Sequence, residues 1–151
     1  FFTLGKNGIA NDSYNEEFLK FVASIPEVEK AVKVRFRKIN PLSDTSIKRN
    51  ILQRYSYGTL LTGIQGWGKT IFRDIDAVAL IQLLVEKQKN GENGDLLVGE
   101  ENFLFIKKND GHINRVSLHW CGKGWVINMF SVEMDGNCGG RQGDNCFIQT
   151  N

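Results

Sequence analysis

A segment in the middle of the chain has the residue types and spacing of a phosphate-binding loop. Residues 63–70 read GIQGWGKT, which fits the pattern G-x-x-x-x-G-K-[ST]. In such loops the backbone amides surround phosphate groups, the lysine neutralises their charge, and the hydroxyl contacts Mg²⁺. The pattern makes Gly63, Gly68, Lys69 and Thr70 a candidate site for a magnesium–nucleotide complex.

The sequence around this segment argues against nucleotide binding. The candidate strand before it, residues 56–62 (SYGTLLT), is short and polar, whereas the strand that leads into a phosphate-binding loop is normally apolar on both faces. Asp74 and Asp76 indicate that the following helix starts well after Thr70, which makes the loop too long. Nucleotide binding is therefore the first alternative and not the main interpretation.

A histidine and a cysteine near the end of a predicted strand form a second candidate constellation. His119 and Cys121 are two positions apart and would share one face of that strand. Such a pair can act as the base and nucleophile of a hydrolase. Because no third residue that would orient the histidine is evident, a Cys/His hydrolase is the second alternative.

A third candidate is a basic surface. Residues 30–54 contain eight lysines and arginines and a single acidic residue, Asp44. Local charge of this kind is typical of a surface that meets an anionic partner, although a solvated basic surface without a partner has the same composition. Nucleic acid fits such a surface, because phosphate contacts require only positive charge and a nearby tyrosine can stack on a base. The predicted contacts are Arg35, Arg37, Lys48, Arg49 and Arg54.

The N-terminal half is predicted to contain two helices and a strand that would position the basic residues. Ser13 and Glu16 have the spacing of a capping box for the first helix, which Pro26 ends. Residues 32–37 alternate between apolar and basic types, as expected for a half-buried strand with a basic outer face. A second helix is predicted to start after Asp44 or Thr45.

A third helix and a series of strands are predicted for the rest of the chain. The helix would be capped by Asp74 or Asp76, run to about Lys89, and end at the glycine-containing turn 90–94. The predicted strands are 103–107, 113–120, 125–134 and 147–149. The turns 109–111 (NDG) and 121–124 (CGKG) are tight and therefore join antiparallel neighbours.

These elements predict one α+β domain covering residues 1–151. We expect an antiparallel sheet of four to five strands, with a C-terminal meander, packed with about three helices. Trp120, Trp125 and Phe130 lie on adjacent predicted strands and are expected to form cross-strand core pairs.

Two stretches carry a resemblance to other proteins. Residues 74–97 (DIDAVALIQLLVEKQKNGENGDLL) and 116–135 (VSLHWCGKGWVINMFSVEMD) contain a capped helix, a G-E-x-G turn and a W-x-G-x-G-W strand pair. They resemble the C-terminal halves of small uncharacterised proteins from candidate-phyla-radiation (Patescibacteria-like) bacteria. The resemblance implies a bacterial source and conserved structural elements, but it implies no function and no site residues.

Composition limits the remaining functional classes. No stretch approaches the ~18 apolar residues needed to cross a bilayer, so no membrane span is expected. The three cysteines permit one bridge, with Cys138 and Cys146 the natural pair, but free cytosolic thiols explain an odd number equally well. The chain starts at Phe1, so a removed signal peptide would be invisible, and a cytoplasmic location is only favoured over secretion.

The sequence as a whole favours a small binding or interaction domain that is not an enzyme. Segment 33–54 would be its contact surface for an unknown macromolecular partner, with nucleic acid as one such partner. Neither C-x-x-C nor H-E-x-x-H occurs, and we predict no metal site and no cofactor, except for the magnesium nucleotide of the first alternative.

Overall fold

A six-stranded mixed sheet and two helices make up the parts of the chain that the structure, a computed structural model, describes. These parts are residues 2–25, 34–39, 71–131 and 145–149. The elements are α1 (Ser13–Ala23), β1 (Phe36–Ile39), β2 (Phe72–Arg73), α2 (Asp74–Lys87), β3 (Asn102–Lys107), β4 (Ile113–Trp120), β5 (Trp125–Ser131) and β6 (Asn145–Gln149). The helix predicted after Asp44 or Thr45 and the strand predicted at 56–62 lie outside the described residues.

The order of the strands is β1-β6-β3-β4-β5, with β2 also paired to β3. The predicted meander is confirmed for β3, β4 and β5, which form two antiparallel pairs joined by tight turns. The sheet is mostly antiparallel, as predicted, but it has six strands instead of four to five, and β2 and β6 both run parallel to β3. Tight turns determine only the pairing of the strands they join, and a long connection between β5 and β6 lets β6 reach the far side of β3. The described residues contain two helices where about three were predicted.

Both helices pack on one face of the sheet. The buried residues of that face are Leu104, Ile106, Val116, Leu118, Trp125, Ile127 and Phe147. They contact a helical layer consisting of Phe18, Val22, Ala77, Leu80, Ile81, Leu84 and Val85. The alternation of strand side chains between two faces thus places a single apolar cluster between the sheet and the helices.

Helix α1 starts one residue away from its predicted cap. Asp12, and not Ser13, is the N-cap, and its Oδ1 accepts a hydrogen bond from the Tyr14 amide at 2.9 Å. Aspartate and serine cap helices about equally well, so the sequence Asp12-Ser13 leaves the choice to packing. In the first turn, the aromatic Tyr14 is 51% exposed, whereas the polar Asn15 is buried.

Asn15 fastens α1 to the edge of the sheet. Its Nδ2 donates to the carbonyl oxygens of Ala10 (2.8 Å) and Trp125 (2.9 Å), and its Oδ1 accepts from the Ile127 amide at 2.7 Å. Trp125 and Ile127 belong to β5, which is the last strand of the described sheet. The side chain therefore satisfies backbone groups that an edge strand would otherwise present to another chain.

Helix α2 also differs from its predicted start. Arg73 occupies the N-cap position without a side-chain capping bond, and the predicted caps Asp74 and Asp76 lie in the first turn. Asp76 is buried, and its carboxylate accepts two hydrogen bonds from the Arg73 guanidinium, at 2.8 and 3.3 Å. The helix dipole stabilises both acidic residues in the first turn, and Arg73 also stabilises Asp76. An aspartate near the start of a helix can therefore be favourable without being the N-cap.

Buried carboxamides organise the segment between α2 and β3. Gln88 Nε2 donates to the Glu92 and Leu96 carbonyls (2.6 and 2.7 Å), and its Oε1 accepts from the Leu96 amide at 2.7 Å. Asn102 Oδ1 accepts from the Leu97 amide at 2.8 Å, and its Nδ2 donates to the Leu118 carbonyl at 3.1 Å.

Asn145, the first residue of β6, joins the same network. Its Nδ2 donates to Asn102 Oδ1 at 3.0 Å and to the Asp95 carbonyl at 2.7 Å. The two asparagines are register partners in the parallel pair formed by β3 and β6. This contact fixes where β6 joins the sheet.

The predicted tryptophan pair is present. Trp120 and Trp125 are register partners at the β4–β5 turn, with ring centroids 5.4 Å apart in an edge-to-face arrangement. Trp125 is buried and donates from Nε1 to the Gln88 carbonyl at 2.7 Å. The predicted third member, Phe130, is instead 38% exposed and lies opposite Arg115. Gly91, with φ of 74°, packs against the Trp120 indole.

We expect Gly91→Ala to destabilise the fold by at least about 2 kcal/mol. The positive φ at this position disfavours alanine, and the added Cβ would lie only 2.7 Å from Cδ2 of the Trp120 ring. Gly99→Ala is the matched control, since a Cβ at Gly99 meets nothing within 4 Å, and its effect should stay within about 0.5 kcal/mol. Urea denaturation followed by tryptophan fluorescence measures both. Equal stabilities of the two variants would contradict this account of the turn.

Candidate functional site

The described part of the predicted basic surface lies on β1, the strand at one edge of the described sheet. Arg37 is the register partner of Ile148 in β6, and Arg35 immediately precedes β1. Both arginines are exposed. Arg35 lies one residue outside the strand and two positions from Arg37, a spacing at which residues of an extended chain fall on the same side. The exposure of Arg35 and Arg37 agrees with the predicted basic outer face, although the strand begins at Phe36 and not at residue 32.

Phe36 and Lys38, which alternate with the arginines along the chain, attach β1 to neighbouring residues. The Phe36 ring packs against the Phe147 ring with centroids 5.6 Å apart. Lys38 Nζ lies 3.7 Å from Asp95 Oδ1, an exposed ion pair that adds little stability but orients the strand. Within the described ranges, neither Arg35 nor Arg37 has an ion-pair partner. Their charge is therefore not compensated by any residue that the structure describes.

The other predicted site residues of the basic surface and of the phosphate-binding loop fall outside the described residues. They are Lys48, Arg49, Arg54, Gly63, Gly68, Lys69 and Thr70. The described chain resumes at Ile71 and forms β2 before α2 starts at Asp74. A strand thus separates the GKT sequence from the next helix, in agreement with the late helix start expected from the sequence. Nucleotide binding stays a prediction.

The predicted Cys/His pair is not assembled into a catalytic arrangement. His119 is exposed on β4, and Cys121 is exposed in the turn that follows. No hydrogen bond between the two side chains exists in the described structure, where the Cys121 amide donates to the Gly124 carbonyl at 3.0 Å. In the same ranges, no group of three or more histidine, cysteine or acidic residues is arranged to hold a metal ion.

The structure reveals a half-buried arginine that sequence reasoning missed. Arg115 projects from β4 on the face opposite the helices, with its Cζ 4.3 Å from the centre of the Phe103 ring. Its side chain is only 13% exposed, and its Nη2 lies 3.1 Å from Glu101 Oε2. Ser117 donates a short hydrogen bond to the other oxygen of Glu101. The only signal in the sequence was an arginine within a strand that is otherwise largely buried. Such a cation indicates that a residue of opposite charge pairs with it, but does not identify that residue.

Two nitrogens of Arg115 lack directed hydrogen bonds. Among the residues that the structure describes, Nε and Nη2 are buried without a hydrogen-bond partner, so the close approach of Nη2 to Glu101 is an electrostatic contact with poor hydrogen-bond geometry. The strand registers place Arg115 on the same face of the sheet as Arg37. That face therefore carries positive charge at two separate positions.

A pocket of about 420 Å³ lies where β2 ends and α2 begins. Arg73, Lys107 and Lys108 contribute its positive charge. The hydrogen bond to Asp76 is the main cause that raises the pKa of Arg73. In the hairpin beyond Lys108, the backbone hydrogen bond from His112 is the main cause that lowers the pKa of Asp110.

No family model, curated protein or solved structure matches this chain. The similarity to proteins of candidate-phyla bacteria stays a prediction. None of the helices in the described ranges has the length and apolar character needed to cross a membrane.

We expect Glu101→Gln to destabilise the protein by about 1–2 kcal/mol, because it removes the charge that compensates the nearly buried Arg115. The amide oxygen can still accept from Ser117, so the change isolates the ion pair. Glu100→Gln, at the exposed neighbouring position, should change the free energy of unfolding by less than about 0.5 kcal/mol. Chemical denaturation measures both, and equal effects would show that the Arg115 charge needs no partner.

Proposed function

We propose that this chain is a non-catalytic binding domain that contacts an anionic macromolecule through its basic surface. The observation that carries the proposal is the pair Arg35 and Arg37, exposed on one side of β1 and without an ion-pair partner within the described residues. Lys48, Arg49 and Arg54 are proposed to extend this surface.

The geometry of the pair suits a partner with regularly spaced negative charges. Residues two apart along an extended chain are about 6.6 Å apart, which is comparable with the spacing of successive phosphates in a nucleic acid strand. The planar guanidinium group can also bind a phosphate with two hydrogen bonds. Single-stranded nucleic acid is therefore the first partner to test.

The anchoring of β1 supports a binding role. Phe36 and Lys38 hold the strand against Phe147 and Asp95, so Arg35 and Arg37 are presented by a fixed backbone. A fixed backbone reduces the ordering cost of association. No described geometry gives comparable support to the magnesium–nucleotide or the Cys/His alternative.

We expect the double variant Arg35→Gln/Arg37→Gln to bind a labelled single-stranded oligonucleotide about tenfold or more weakly in low salt. Removing two phosphate contacts should also reduce the slope of log affinity against log salt by about 1.4. Fluorescence anisotropy at several salt concentrations measures both quantities.

The matched control is Lys6→Gln/Lys20→Gln, which removes the same charge from exposed positions away from β1. This control should retain most of the affinity and the slope. Equal weakening in both double variants, or affinity independent of salt, would contradict the proposed surface. If the protein bound polyglutamate but not nucleic acid, the anionic partner would be an acidic protein instead of a nucleic acid.

A further inference from the structure

The pocket at the start of α2 is lined by the ends of two neighbouring strands, the first turn of α2, the hairpin after β3 and one residue beyond α1. The parallel pairing of β2 and β3 makes Arg73 and Lys107 register partners, and both line the pocket. Ile25, just beyond α1, and Ile75, in the first turn of α2, supply apolar walls. A volume of about 420 Å³ lies in the range of small-molecule pockets.

Two of the four charged residues that line the pocket, Arg73 and Lys108, are already paired. The Arg73 guanidinium binds Asp76 with two hydrogen bonds, which offsets the repulsion expected between Arg73 and the directly opposed Lys107. Lys108 Nζ lies 3.9 Å from Asp110 Oδ2. These two cations are therefore partly neutralised by the protein itself.

Two lining residues of opposite charge are left without an ion pair in the described structure. They are Lys107, at the end of β3, and Asp74, the first residue of α2. Asp74 Oδ1 accepts from the Ile75 amide at 2.7 Å, which orients its carboxylate. Lys107 is the register partner of Arg73, and Asp74 is the residue after Arg73. Asp74 and Lys107 therefore line the same small pocket without forming an ion pair with each other.

We propose that this pocket binds a small zwitterion of the α-amino-acid type. Lys107 would receive the carboxylate, Asp74 the ammonium group, and Ile25 and Ile75 an apolar side chain. One lysine without an ion pair among the described residues matches a single carboxylate, whereas the nearby Asp74 would repel a phosphate of higher charge. This inference adds a site to the proposed macromolecular surface and does not depend on it.

The test is a titration of the whole chain with L-leucine and L-phenylalanine by calorimetry and amide NMR. N-acetyl-L-leucine lacks the ammonium group and L-leucinamide lacks the carboxylate, so both should bind at least about tenfold more weakly than L-leucine. The amide shifts caused by L-leucine should be centred on Arg73, Asp74, Lys107 and Lys108.

Asp74→Asn and Lys107→Met should each weaken L-leucine binding by about tenfold or more. Glu86→Gln and Lys87→Met, at exposed positions in the last turn of α2, make the same chemical changes away from the pocket and should leave binding unchanged. The Arg35→Gln/Arg37→Gln variant should also bind normally, which separates this site from the proposed nucleic acid surface.

Three results would overturn the amino-acid site. The first is the absence of binding of either amino acid at millimolar concentration. The second is equal affinity for L-leucine and its N-acetyl derivative. The third is displacement of L-leucine by inorganic phosphate acting at the same amides, which would make the pocket an anion site.

Discussion

Four buried side-chain amides join the helices, loops and strands of the described structure through hydrogen bonds to the backbone. Asn15, Gln88, Asn102 and Asn145 are all buried, and each hydrogen-bonds backbone groups that have no partner in a helix or strand. An unpaired buried amide or carbonyl costs about 1–3 kcal/mol, so the buried Leu96, in the segment between α2 and β3, is stabilised by Gln88, whose side chain pairs with both its amide and its carbonyl. Leucine at these positions would increase apolar burial but leave several backbone groups unsatisfied.

The carboxamides also determine where the candidate surfaces lie. Asn145 joins Asn102 and the Asp95 carbonyl, which fixes β6 beside β3, and β6 in turn pairs with β1. The Asp95 side chain approaches Lys38 on β1, so the same segment contacts two strands. The position of the exposed arginines on β1 is thus a consequence of a polar network in the interior.

Features that depend on neighbouring residues in the sequence could be predicted. Features that depend on contacts between distant residues could not. The bounds of β4 and the tight turn at Gly111 follow from alternation and turn chemistry alone. The parallel pairing of β6 was missed, because Asn145 looks like an ordinary loop residue until Asn102 is beside it. Arg115 was missed for the same reason, since its ion pair with Glu101 is formed across two strands. The predicted contacts Arg35 and Arg37 were identifiable because exposure on a strand follows a period of two.

The proposed contact surface for an anionic macromolecule is the edge of the sheet formed by β1. Two-dimensional NMR of the arginine Nε–H groups and backbone amides, during titration with a single-stranded oligonucleotide, tests it most directly. The account predicts that the largest shifts among the described residues occur at Arg35 and Arg37, while Lys6 and Lys20 stay unaffected. Shifts that avoid β1, or that spread evenly over all exposed cations, would contradict it.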